Sequence, residues 1–128
     1  MYTTLSDKLE PTVADLVAGW GPVYTMLAEL HARWNKPLIF TEIGMRSIAG
    51  AARAPWDWQC SGAVDPVSQA KWYQAAFQTF SAHSFMAGMF WWEWSPWPSV
   101  GWSSDTSYTP HGKPAEVILT DWYTNKLR

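Results

Sequence analysis

Residues 12–34 carry apolar side chains three or four positions apart, with mostly polar or small residues between them. That spacing places apolar side chains on one face of an α-helix. The apolar positions are Val13, Leu16, Val17, Trp20, Met26, Leu27, Leu30 and Trp34. Thr12 is a candidate N-cap. Because proline lacks the N–H that a continuous helix uses, Gly21 and Pro22 predict a break, with a short helix before them and a longer one after.

Two short apolar runs have no helical period and predict strands. Residues 37–41 (PLIFT) lie between a polar segment and Gly44. A continuous run of this length is typical of a strand that is buried on both faces of a parallel sheet. Residues 85–92 (FMAGMFWW) form the second run, and Gly88 within it indicates close packing or a bulge.

One helix is predicted between the two strands and another after the second. Asp65 and Pro66 form a helix start, with aspartate as N-cap and proline at the first helical position, and the helix should end near residue 83. A Lys-Pro pair at positions 113 and 114 opens a last helix that runs to about residue 125. The residues expected to face inward from that helix are Val117, Ile118 and Trp122.

The predicted order is helix, strand, loop, helix, strand, loop, helix. Buried strands that alternate with helices of crossover length favour parallel βαβ units, so we expect an α/β fold and a single domain over residues 1–128. Two long loops, residues 43–64 and 93–112, follow the strands. Loops of this length in compact domains are usually functional or disordered.

Charge and composition exclude several classes of function. The net charge is −2 and the pI is near 5.8, which leaves no basic excess for nucleic acid. The longest apolar run is far shorter than a membrane helix, and the N-terminus lacks a signal pattern, so we expect a soluble protein, with the cytoplasm favoured. Cys60 and three scattered histidines have no metal-ligand spacing, and no cofactor motif is present. We therefore expect no metal and no cofactor.

Tryptophan is the unusual component, with 11 residues in 128. Several of these lie in the long loops and not on periodic faces. Outside a core, an indole serves either as a rigid anchor in a protein interface or as a flat platform for the C–H face of a sugar ring. Composition alone does not choose between these two uses.

Glu42 directly follows the first apolar run, in the sequence KPLIFTEIG. Catalytic groups lie at the carboxyl ends of the strands in barrels of parallel strands, so Glu42 stands where such chemistry is found. The end of the second strand, residues 91–94 (WWEW), would lie beside it. A carboxylate next to indoles is suited to glycoside cleavage, in which the carboxylate attacks the anomeric carbon.

Five segments in order resemble one enzyme family over nearly the whole chain. They are residues 36–47 (KPLIFTEIGMRS), 51–58 (AARAPWDW), the helix around Gln69 and Tyr73, residues 88–94 (GMFWWEW), and residues 108–116 (YTPHGKPAE). They resemble the C-terminal half of glycoside hydrolase family 113, β-mannanase-like enzymes of the (β/α)₈ clan. The resemblance implies the last two strands of a TIM barrel, a retaining mechanism, a β-linked mannan-type substrate, Glu42 as nucleophile and Trp92 as the floor of the sugar subsite.

The chain departs from that family in one respect. The family's acid/base glutamate lies on the fourth strand, whereas the resemblance begins near the end of the sixth. Two strands cannot close a barrel of eight, and their edges and inward side chains would be left uncovered. We therefore expect association into a homo-oligomer, exchange of elements between chains, or a missing N-terminal half-barrel.

The sequence leaves two interpretations open for each of the other residues near the strand ends. Glu93 is either the second carboxylate that a retaining mechanism needs, for which it is the local candidate, or a solvated loop residue. Arg46 binds sugar hydroxyls or keeps Glu42 ionised. Trp94, Trp56 and Trp58 contact substrate, or they pack in a core or an interface.

Two functions remain open for the chain as a whole. One is the C-terminal part of a retaining glycoside hydrolase that is inactive alone. The alternative is a non-catalytic truncated barrel that binds glycan or associates with itself.

Overall fold

The computed structural model describes residues 1–126 and contains three helices and two parallel strands. In chain order they are α1 (Val13–Trp34), β1 (Leu38–Ile43), a 3₁₀ turn (Ala51–Arg53), α2 (Pro66–Phe80), β2 (Met86–Trp91) and α3 (Pro114–Asp121), which a π-helical turn (Trp122–Lys126) extends. The strands pair in parallel and α2 connects them. The predicted α/β architecture with a βαβ unit is confirmed.

The predicted break in the first helix is wrong, because α1 is continuous through Pro22. Gly21 explains this, since it lacks the Cβ that would clash with the following proline ring in helical geometry. Ala18 and Pro22 are both exposed, so water can reach the carbonyl that the proline leaves without a donor. Thr12 caps the helix in a capping box with Asp15, as its side-chain type predicted.

The core lies between one face of the two strands and the helices α1 and α2. Phe40 of β1 packs edge-on against Phe80 of α2 and stacks with Trp20 of α1. Trp72 is fully buried beside them. These aromatic contacts hold the helices on one side of the sheet.

The opposite face of the sheet is open, so the prediction that the first strand is buried on both faces is wrong within the described chain. Ile39 is 52% exposed and Phe90 is 62% exposed. Two strands give helices only one broad face to cover, and a face that would point into a closed barrel has no neighbour here.

The C-terminal elements extend the aromatic packing. Trp91 stacks on Tyr73 of α2 at 4.2 Å between ring centroids, and Trp122 stacks on Phe77 at 5.1 Å. Val117 was expected to face inward but is 68% exposed. Within residues 1–126 no helix has the length and apolar character needed to cross a membrane.

Candidate active site

A bulge in β1 determines where Glu42 points. Phe40 is paired with Met89 and Ile43 with Trp91, so three steps along β1 match two along β2. The extra residue reverses the alternation of faces, and Ile43 therefore joins Phe40 on the buried side. Glu42, the neighbour of Ile43, is left on the open face at the carboxyl end of the strand, and it is half-buried.

Trp92 lies at the same end of the sheet. Its N–H donates to the carbonyl of Ile43 at 2.8 Å, and its indole is 46% exposed. Because Trp91 faces α2, alternation directs Trp92 to the open face that Glu42 also occupies. Gly44 makes this approach possible, since a Cβ there would stand 2.1 Å from the carbonyl oxygen of Trp92.

Two phenols, those of Tyr2 and Tyr108, lie within electrostatic reach of the Glu42 carboxylate. Burial first, and then the interaction with the Glu42 carboxylate, raises the pKa of the Tyr2 phenol well above its ordinary value. Burial also raises the pKa of Tyr108, although the positive charge of Arg46 opposes it. The Tyr108 hydroxyl donates to the carbonyl of Pro55 at 2.9 Å, which fixes the ring. Sequence reasoning missed Tyr2, because residues 1–11 have no period and the contact spans 40 positions.

Arg46 connects the two long loops. Its guanidinium donates to the carbonyl of Trp58 at 3.0 Å and of Thr106 at 3.1 Å, and also to the carbonyl of Cys60. No ion pair between Arg46 and a carboxylate occurs within residues 1–126. It also donates to the side-chain hydroxyl of Thr106 at 3.2 Å, so four acceptors on the two long loops hold this arginine in place.

Glu93 lies in a different environment from Glu42. It is half-buried and lines a pocket of about 270 Å³ together with Trp94, Pro110 and Leu119. Glu42 is not among the residues that line this pocket.

The indoles predicted to contact substrate are exposed. Trp56 is 51%, Trp58 71% and Trp94 51% exposed. All three lie in the loops that follow the carboxyl ends of β1 and β2. Further exposed indoles in the second loop are Trp97 and Trp102.

A buried lysine supports the loop floor. The Lys113 ammonium donates to Ser47 at 2.9 Å, to Asp105 at 2.9 Å and to the carbonyl of Ser107 at 3.0 Å. Burial lowers the pKa of Lys113, and the hydrogen bond with Asp105 opposes that effect. Partial burial raises the pKa of Asp105, but hydrogen bonds from Ser107 and Lys113 outweigh it and lower the pKa to about 2. This network packs the loop after β2 against the loop after β1.

No group of three or more histidine, cysteine, aspartate or glutamate side chains that could hold a metal ion is found among the described residues.

Parallel strands with a carboxylate and exposed indoles at their carboxyl ends define a unit of the glycosidase type. The chain belongs to glycoside hydrolase family 113, whose sequence model matches residues 7–113. The family resemblance seen in the sequence is thereby confirmed.

Solved structures of this family share the fold. Two structures of a family 113 β-1,4-mannanase, one of them a complex, superpose with a TM-score of 0.78 at 26% and 25% identity over 86% of this chain. The family 113 β-mannanase of Alicyclobacillus acidocaldarius in complex with ManMIm gives a TM-score of 0.73 at 32% identity over 84% of this chain. This chain spans only 36% and 35% of the length of those proteins. Among the curated proteins compared, none matches significantly.

Proposed function

We propose that this chain carries the nucleophile of a retaining glycoside hydrolase that acts on β-linked glycan of the mannan type, with Glu42 as that nucleophile. The observation that carries the proposal is the position of Glu42 on the open face at the carboxyl end of β1, within electrostatic reach of the Tyr2 phenol and next to the strand end that bears Trp92. The mannanase relatives support the substrate class.

In this mechanism the Glu42 carboxylate attacks the anomeric carbon and displaces the leaving sugar, so that a covalent glycosyl ester forms. Water then cleaves the ester and returns the free carboxylate with overall retention. A second carboxyl group about 5 Å away protonates the leaving oxygen and later activates the water. Trp92 would support the sugar ring under attack, and Trp94, Trp56 and Trp58 would contact neighbouring sugars.

We assign the acid/base role to a carboxyl group on further barrel strands, and not to Glu93, which lines a pocket with residues of the second loop and α3. On this proposal the chain by itself does not hydrolyse unactivated glycan. The open sheet face, where Ile39 and Phe90 are exposed, is where the further strands or a second copy of the chain would pack.

An activated substrate tests Glu42 without the acid/base group. A 2-deoxy-2-fluoro-β-mannosyl fluoride has a leaving group that departs without protonation, so a nucleophile alone can be glycosylated. We expect one mannosyl label on the peptide that contains Glu42, measured by intact mass and peptide mapping. The Glu42→Gln variant should show no label, and Glu93→Gln should be labelled like the parent. An unlabelled parent, or a label that persists in Glu42→Gln, would contradict the proposal.

A non-catalytic glycan-binding module is the second candidate. It is favoured by the exposed indoles, because six of the seven exposed tryptophans lie at or after the carboxyl ends of the strands. Calorimetric titration with manno- and cello-oligosaccharides, paired with a reducing-sugar assay, separates the two functions. Binding without labelling of Glu42 would favour the module.

A further inference from the structure

Trp102, in the loop after β2, has a backbone conformation that bulky residues rarely adopt. Its φ is 69°, in the left-handed region. A non-glycine residue with that φ is strained, and strain of this kind persists only where the surrounding structure over-determines it. Such outliers cluster at functional sites, so the question is what the strain achieves at this position.

The surroundings fix the indole of Trp102 in one place. Its backbone N–H donates to the carbonyl of His111 at 2.8 Å, and its indole N–H donates to the carbonyl of Pro98 at 3.1 Å. The ring lies directly over Gly112, where a Cβ would come 2.6 Å from the ring atom Cε3. Gly101 lies against the carbonyl of His111. A Cβ on residue 101 would stand 2.4 Å from that carbonyl oxygen, so a side chain there would clash.

The indole of Trp102 offers an apolar surface to a ligand. Trp102 is 53% exposed, and its one polar atom is already bonded to Pro98 within the loop. The exposed side is the one turned away from Gly112. The next two residues, Ser103 and Ser104, are exposed and can offer hydroxyl groups to a ligand. A rigid apolar plane with neighbouring hydroxyls matches a sugar ring, which has an apolar C–H face and a polar rim.

Trp102 is also connected to the strand end. The ring of His111 lies between two indoles, in edge contact with Trp94 at 5.4 Å and with Trp102 at 5.2 Å between ring centroids. Trp94 is two residues from Trp92. The aromatic row therefore runs from Trp94, beside the strand end, through His111 to Trp102.

We propose that Trp102 is a distal carbohydrate platform that stacks a hexopyranose ring of a β-linked polysaccharide at a site separate from Glu42. The inference rests on the proposed function for its substrate class. It adds a subsite that short glycosides do not reach and that a long chain does. The strained backbone at Trp102 is the device that turns the indole outward over Gly112.

Affinity electrophoresis in gels that contain soluble β-1,4-mannan tests this platform. The Glu42→Gln variant serves as the background, so that no hydrolysis can alter the gel. Adding Trp102→Gly removes the ring while suiting the backbone, because glycine adopts a positive φ without strain. We expect the dissociation constant for mannan to rise about tenfold, because truncation of an anchoring tryptophan commonly has an effect of that size. Trp102→Phe keeps a smaller ring and should give an intermediate value.

Trp34→Ala is the matched control, since Trp34 is 59% exposed but lies at the end of α1 that leads into the start of β1. Its affinity for mannan should equal that of the background, and a dextran gel should retard none of the variants. Unchanged mannan affinity in Trp102→Gly would overturn the inference. So would a change confined to the sedimentation coefficient, which would assign Trp102 to a protein interface instead.

This test and the test of the proposed function fail independently. Labelling by the mannosyl fluoride concerns Glu42, whereas retardation in the Glu42→Gln background concerns only the aromatic surface. Suppose that the parent chain is labelled at Glu42, but mannan retards the Glu42→Gln background no more strongly than the variant that also carries Trp102→Gly. The platform would then be refuted and the nucleophile would stand.

Discussion

The phenol of Tyr2 interacts with the carboxylate of Glu42, which links the segment before α1 to the end of β1. The segment is held in place from its other side. Leu5 donates to the carbonyl of Ala52 at 2.9 Å and is buried, and it lies so close to α1 that a Cβ on Gly19 would stand 2.2 Å from its carbonyl oxygen. The position of Tyr2 is therefore set by packing on two elements and not by its interaction with Glu42 alone.

Removing the Tyr2 hydroxyl should weaken the proposed nucleophile. The phenol helps to position the carboxylate for attack, and misplacement of a reacting group can cost up to about 10²-fold in rate, so we expect Tyr2→Phe to lower the rate of mannosyl labelling at Glu42 by about tenfold. Tyr24→Phe is the control, because the ring of Tyr24 packs on His83 and Phe85, which directly precede β2. That is the end of the strand opposite to the one near Glu42. Equal labelling rates in Tyr2→Phe and the parent would show that the hydroxyl does not assist Glu42.

Local patterns predicted the elements of the fold but not the direction of Glu42. The strand and helix starts followed from apolar runs, Asp65 and Thr12, whose chemistry acts within a few residues. Simple alternation along β1 would put Glu42 on the same face as Phe40, which is buried. The bulge that moves it arises from pairing with β2, about 48 residues further along, and no local signal in β1 encodes it.

The contacts around the site were also out of reach of pattern analysis. Tyr2 meets Glu42, and Lys113 meets Ser47, only after the chain has folded. Conversely, Pro22 predicted a helix break because the rule for proline was applied without considering residue 21. Glycine at that position lacks the Cβ that would clash with the proline ring. Both residues were known from the sequence, but their combined effect on the helix was not considered.

Gly44 should be required for the two strand ends to meet. Gly44→Ala would place a Cβ 2.1 Å from the carbonyl oxygen of Trp92, and backbone must move to relieve the clash. We expect a loss of about 1–3 kcal/mol in the free energy of unfolding, measured by urea denaturation.

Gly88→Ala is the control for this substitution within the same sheet. A Cβ at that position would meet only Ile39, at an ordinary 3.9 Å. Its effect on stability should stay within about 0.5 kcal/mol. Equal stabilities of the two alanine variants would show that the strand ends are not in close contact.

The stability of the chain should fall in strong acid in part because of Asp105. Its pKa is about 2 in the folded chain against an ordinary 3.8, so its ionised form stabilises the fold above about pH 4, and that contribution is lost as the pH falls toward 2. In Asp105→Asn the difference in melting temperature between pH 5 and pH 2.5 should be smaller than in the parent.

Asp15 gives a reference for the same pH window. Its pKa is also lowered to about 2, by hydrogen bonds from Lys8 and Thr12 at the start of α1. Asp15→Asn should likewise reduce the acid sensitivity, and the double variant should reduce it further because the two sites share no partner. An acid sensitivity identical in Asp105→Asn and the parent would mean that the pair with Lys113 does not hold the second loop.

The open face of the sheet should drive association. Phe90 is 62% exposed in the middle of a strand whose other face is packed on α2, and Ile39 beside it is 52% exposed. Apolar strand faces and unpaired strand edges promote pairing with another chain, so we expect light scattering at micromolar concentration to report a mass above that of the monomer. Phe90→Lys puts a charge on this face and should shift the chain toward the monomer, whereas Val117→Lys changes an equally exposed residue on α3 and should not. A clean monomeric mass for the parent would mean that this face remains solvated in solution.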